Sequence, residues 1–180
     1  LKRREGGGVA YKTTGGTEPA GTPYVGEAYL EAYRMTGGRY LLDAAKQTAY
    51  ALVASQLRSG GWDSKFELGE EHRKRYAYRT EPESSKRRNY TTLDDNKSQS
   101  CLMFLMNMDE ELKFTDKRIR DTLDYAFDHF LKAQYPNGAW PPQFREPAVA
   151  RDFPVKQERY PDSGCGSAQN EQYTGQYTVD

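Results

Sequence analysis

Two segments of this chain carry one pattern at one spacing. Gln56-Leu-Arg-Ser-Gly60-Gly-Trp62 and Gln134-Tyr-Pro-Asn-Gly138-Ala-Trp140 both read Gln-x3-Gly-x-Trp, with 78 positions between each pair of matching residues. Three identities at one offset mark an internal repeat, and repeat proteins bury each unit against its neighbours. A glutamine at a helix end satisfies free backbone groups, a glycine permits the turn, and a tryptophan packs back across the preceding unit. The pattern is therefore structural first. Trp140 is the copy better suited to touch a ligand as well, because aromatic faces stack on sugar rings.

The stretches before each signature read as helices. Val25, Ala28, Tyr29, Ala32 and Tyr33 recur at helical spacing until Gly37-Gly38 stops them, and Leu41, Ala44, Ala45, Thr48, Ala49, Leu52 and Val53 lay down a second stripe. Cys101, Leu102, Leu105 and Met108 predict a third helix, and Ile119, Leu123, Ala126, Phe127, Phe130 and Leu131 a fourth, joined by a charged connection from Asp109 to Arg118. Hydrophobic residues are only 36% of the chain, charged ones 29%, and the mean hydropathy is −0.97, so the core must be built from apolar stripes. The expected fold is all-α, an α/α toroid of repeated helical hairpins with long irregular loops. Hairpin one covers about 23–62 and hairpin two about 91–140. Residues 65–89 and 141–173, rich in charge or proline, are expected to be long connections, and 2–20 a loop. Tyr177-Thr178-Val179-Asp180 repeats the lead into the third helix, Thr92-Leu93-Asp94, so a third repeat is expected to start near 177. On that reading residues 1–180 are part of a single toroidal domain whose C-terminal portion is missing.

Asp94-Asp95-Asn96 stands just before the third helix and has two readings. One is an N-cap that satisfies free amides and complements the helix dipole. The other is a cation site, since carboxylate and amide oxygens are the hard ligands that calcium prefers, and Asp180 in the next repeat would add to them. Arg73-Lys74-Arg75, Arg79 and Lys86-Arg87-Arg88 are interleaved with Tyr76, Tyr78 and Tyr90. This is a solvated charged loop or a cleft for a polyanion, in which Arg79 and Arg88 would clamp carboxylates. Nucleic acid is a poor partner, because 26 basic residues balance 26 acidic ones and no nucleic-acid module is present. His72 and His129 lack metal spacing and receive no role. Cys101 and Cys165 form no disulfide framework, and no apolar run is long enough to cross a membrane.

Thr92-Leu93-Asp94-Asp95-Asn96 followed by Gln134-Tyr135-Pro136-Asn137-Gly138-Ala139-Trp140-Pro141 resembles the hallmark segments of the family ten pectate lyases. Gly21-Thr22-Pro23 and Arg151-Asp152-Phe153-Pro154-Val155-Lys156 are similar to the bacterial members of that group. The resemblance implies a toroid that cleaves polygalacturonate by calcium-dependent β-elimination, with an arginine as base. Asp94 falls on the family's first acidic position, and Asp180 on or beside the second. The expected metal residues are thus Asp94, Asp95 and Asp180, the expected substrate contacts Trp140, Arg79 and Arg88. The base lies beyond Asp180, which leaves no catalytic residue here and an inactive fragment. A monomeric, secreted or periplasmic enzyme without nucleic-acid or membrane partners follows from the same resemblance. The alternatives are a glycoside hydrolase on a similar toroid, a non-catalytic scaffold that binds acidic polysaccharide, and, more remotely, a terpene cyclase.

Overall fold

Four long helices in two hairpins dominate the computed structural model, which describes residues 3–5, 8–10, 13–82, 86–135 and 138–145. In chain order the elements are β1 (Arg3–Glu5), β2 (Gly8–Ala10), β3 (Thr14–Gly16), α1 (Thr22–Thr36), α2 (Arg39–Ser55), β4 (Lys65–Glu67), α3 (Glu70–Arg73), β5 (Thr91–Thr92), a single 3-10 turn (Asp94–Asn96), α4 (Lys97–Glu111), α5 (Lys117–Ala133) and β6 (Gln143–Phe144). The expected all-α class holds, since the strands are only two or three residues long and pair as three small antiparallel ribbons: β1 with β2, β3 with β4, and β5 with β6. Asp180, Cys165 and the expected third repeat lie outside the described residues.

Each helix packs on its hairpin partner, α1 also lies against α4, and α2 against both α4 and α5. The first helices of the two hairpins therefore form one layer and the second helices another. Leu30, Ala45, Ala49, Leu52, Phe104, Leu105, Met108, Ile119 and Ala126 are fully buried between them. Close approach of α1 to α4 depends on Gly26, where a Cβ would sit 2.2 Å from the Phe104 ring. Polar ties flank that contact. Asn107 donates to Glu27 at 2.6 Å and Arg34 Nε to Glu111 at 2.9 Å. On the other layer Tyr50 donates to Asp116 at 2.6 Å, and Asp116 caps α5 by accepting from the Arg118 amide at 3.0 Å.

Several expectations need correction: residues 2–20 carry β1, β2 and β3 and are not a plain loop, and α1 buries Pro23, Gly26 and Leu30 while Val25 and Tyr29 stand exposed. The connection between α4 and α5 spans only residues 112–116, because the charged residues Asp109, Glu110 and Glu111 complete the last turn of α4, with Asp109 buried. Residues 65–89 are the long connection expected, built from β4, the single-turn α3 and the isolated bridges Leu57↔Tyr78 and Tyr76↔Arg88.

Candidate functional site

The repeated signature folds into the same clasp twice. Gln56 Nε2 donates to the Gly60 carbonyl at 2.8 Å, and Gln134 Nε2 to the Gly138 carbonyl at 2.7 Å. Trp62 Nε1 reaches back to the Leu52 carbonyl at 2.9 Å, and Trp140 Nε1 to the Phe130 carbonyl at 2.8 Å. Gly60 and Gly138 both take positive φ, +107° and +90°, which side-chain-bearing residues resist. Each clasp then carries the chain into the strand that follows it, β4 or β6.

Those strands reveal a second equivalence that the sequence conceals. Phe66 pairs with Gly15 and Phe144 with Thr91, while Thr17 N–H donates to the Ser64 carbonyl at 3.1 Å and Leu93 N–H to the Pro142 carbonyl at 2.8 Å. Thr14–Gly16, which lies in the segment expected to be a loop, is therefore the lead-in strand of the first repeat. Glu18 becomes the counterpart of Asp94. No shared motif could have found it, because Gly15-Gly16 stands where the second repeat has Thr91-Thr92.

Glu18 and Asp94 meet at Lys97, the first residue of α4. Lys97 Nζ lies 2.9 Å from Asp95 Oδ2, 3.7 Å from Asp94 Oδ2 and 3.6 Å from Glu18 Oε1, and its side chain is only 5% exposed. Burial alone would lower the ammonium pKa, but the hydrogen bond to Asp95 and the fields of Asp95, Asp94 and Glu18 outweigh it and leave the pKa raised. Asp95 and Asn96 both adopt left-handed backbone, with φ of 54° and 55°, and this double reversal folds the Asp95 carboxylate back onto Lys97 two residues later. The capping expectation fails for the same reason: at the N-cap of α4 the Asn96 side chain makes no capping bond and donates instead to the Tyr24 hydroxyl at 3.1 Å. Asp94 and Asp95 remain open to solvent, with side chains 60% and 65% exposed.

Part of the basic connection is paired with carboxylates. Arg88 Nε pairs with Asp63 Oδ2 and its Nη2 with Oδ1, and that hydrogen bond raises the Arg88 pKa despite partial burial. Asp63 is 2% exposed and Arg88 57%, so the guanidinium presents its outer edge beside a buried anion. Arg79 donates to the Asp121 carbonyl at 2.8 Å and lies over the Tyr125 ring at 4.6 Å. Arg73 and Arg87 share Glu81. Arg88 sits at the same end as the Lys97 cluster, since the Asp63 carbonyl accepts from Thr17, next to Glu18. Trp140 is half-buried, with Leu93, Ala133 and Phe144 in the cluster it packs against.

A family model described as pectic acid lyase matches residues 56–153, more than half of the chain and both quoted hallmark segments. The chain belongs to the pectic acid lyase family. None of the curated proteins or solved structures matches it. Membership carries a pectate-lyase-like function in general terms, with a polysaccharide as the class of substrate. Among the described residues no helix is long and apolar enough to cross a membrane. Calcium, which the family resemblance implies, does not fit the described part of this lyase-family site on its own. Among the described residues no group of three or more His, Cys, Asp or Glu side chains is disposed to hold a metal, and the Asp94 and Asp95 oxygens face an ammonium.

Proposed function

We propose that the protein acts as a pectate lyase on polygalacturonate, cleaving it by β-elimination: a base takes the C5 proton of a uronate and the C4 oxygen leaves with the departing chain. What carries the reading is the family match over residues 56–153, which contains both hallmark segments. The two hairpins are read as consecutive units of an α/α toroid. Phe127 and Leu131 on α5 stand exposed where a third hairpin would pack, in keeping with that reading.

In this reading the substrate lies across the end where α1 and α4 begin, with Asp94, Asp95 and the outer edge of Arg88 facing the polymer and Trp140 and Arg79 flanking it. Calcium enters together with the uronate carboxylates, which supply the anionic oxygens that Asp94 and Asp95 lack, and Asp180 is the further protein ligand. The protein works as an exported monomer. The test is ultraviolet absorbance of unsaturated uronate during incubation of the full-length protein with polygalacturonate, with calcium and with chelator. A calcium-dependent rise that Asp94→Ala abolishes is expected. New reducing ends without unsaturation would replace the lyase by a hydrolase, and binding without either product would leave a scaffold.

A further inference from the structure

The residues to which the sequence assigns calcium already hold a cation of their own. Lys97 Nζ is within 2.9–3.7 Å of one oxygen from each of Asp95, Glu18 and Asp94, and these acids come from two successive repeats. Asp95 accepts a hydrogen bond from the ammonium, while Asp94 and Glu18 hold it as ion pairs at longer range. The Lys97 side chain is 5% exposed, whereas the three acids around its ammonium are 55–65% exposed. Lys97 also opens α4, where the helix dipole already favours negative charge over positive, so the three acids offset two positive features at once. Calcium asks for six to eight oxygens at close range. Reaching the Oδ2 atoms of Asp94 and Asp95 would set a divalent ion against an ammonium that lies 3.7 and 2.9 Å from those same atoms.

We propose that Lys97 is the resident counter-ion of this acidic rim: in the free protein its ammonium takes the place between Asp94, Asp95 and Glu18 that a calcium ion would need, so the rim binds no calcium until an anionic substrate joins it. Lys97 is thus a positioning residue. It holds two repeats' acids in register and does not itself touch substrate. The proposal deepens the lyase reading only in saying when calcium enters. Its test requires no turnover, so absence of unsaturated product from the full-length protein would sink the lyase reading and leave this one standing.

Calcium chloride is titrated calorimetrically into the 180-residue chain as wild type, Lys97→Met and Lys97→Arg. The wild type and Lys97→Arg are expected to show no saturable site at millimolar calcium. Lys97→Met is expected to gain one, at least about tenfold tighter than any wild-type binding and visible as a calcium-dependent rise in Tm. Adding Asp95→Asn to Lys97→Met should remove that gain. A saturable wild-type site that Asp94→Ala destroys would overturn the proposal, as would a folded Lys97→Met variant no better than wild type. Should Lys97→Met not fold, the wild type decides alone. The Lys97 ammonium signal, followed by NMR in isotopically labelled lysine, should not move with calcium, and a shift saturating at one equivalent would refute the idea.

Discussion

The two clasps permit an experiment in which one repeat serves as the control for the other. Gly60 and Gly138 occupy the same place in the pattern and share a positive φ, so replacing either by alanine incurs the backbone penalty of about 1–2 kcal/mol. Their surroundings differ. At Gly138 the nearest atom to a new Cβ is Gln134 Nε2 at 3.9 Å, an ordinary contact. At Gly60 the new Cβ would lie 2.4 Å from His129 Cβ and 2.9 Å from its Cγ, so α5 itself must shift. Overpacking of that kind adds about 1–3 kcal/mol. Gly60→Ala should therefore cost about 2–5 kcal/mol, against about 1–2 kcal/mol for Gly138→Ala. Urea denaturation followed by tryptophan fluorescence reads both, since Trp62 is fully buried beside the turn. Trimming the imidazole with His129→Ala should rescue Gly60→Ala only in part, because the nearest atom is the His129 Cβ, which alanine keeps. Equal costs at the two glycines, or full rescue by His129→Ala, would refute the argument.

Arg88→Ala should destabilise the fold by about 1–2 kcal/mol in urea titrations, because it leaves the buried Asp63 carboxylate without its guanidinium; a neutral result would free Arg88 for a purely substrate-facing role. Asp116 offers a pH test. Burial would raise its pKa, but the Tyr50 hydroxyl and the Arg118 guanidinium and amide outweigh that and hold it below the usual carboxylate value. A depressed folded pKa gives stability that is complete above the unfolded value of about 3.9 and drains away as pH falls through the folded one. The stability gap between wild type and Asp116→Asn should thus stay constant above about pH 5 and shrink below about pH 4. A gap that widens on acidification would contradict the contacts described.

What could be read from the sequence follows from how tightly chemistry restricts each position. The clasp was legible because only a glutamine spans to that carbonyl, only glycine tolerates that φ, and only tryptophan brings an N–H back to the preceding helix. The stripes of α2, α4 and α5 were legible for the same reason, with Leu52, Leu105 and Leu123 buried at the periodic positions, whereas in α1 the face read from Val25, Ala28 and Tyr29 is exposed and Pro23, Gly26 and Leu30 are buried instead. The end of α4 was not legible, since Asp109 and its acidic neighbours look like a loop until the packing against α5 is seen. The lead-in strand β3 was hidden by two glycines that carry no strand preference. Asp94 and Asp95 were singled out from the sequence, yet their partner was not: Glu18 is 79 positions from Lys97, and nothing local announces that the fold will join them. Arg88 and Asp63, 25 residues apart, are a second case of pairing that only the tertiary structure supplies.

The two ends of the hairpins are under different obligations. At one end the clasp is bonded directly to the next repeat: Gly61 N–H to Thr91 Oγ1 at 2.8 Å, Trp62 N–H to Ser98 Oγ at 3.0 Å, and Thr92 N–H to the Trp62 carbonyl at 2.9 Å. At the other end the helix-to-helix connection is two residues in the first hairpin, 37–38, and five in the second, 112–116. The angle between neighbouring units is therefore gauged at the clasp, while the far end is free to lengthen. Descendants of such a chain can acquire insertions at the far turns without altering how the two hairpins meet, whereas a single inserted residue in the first clasp would swing the second hairpin away from the first.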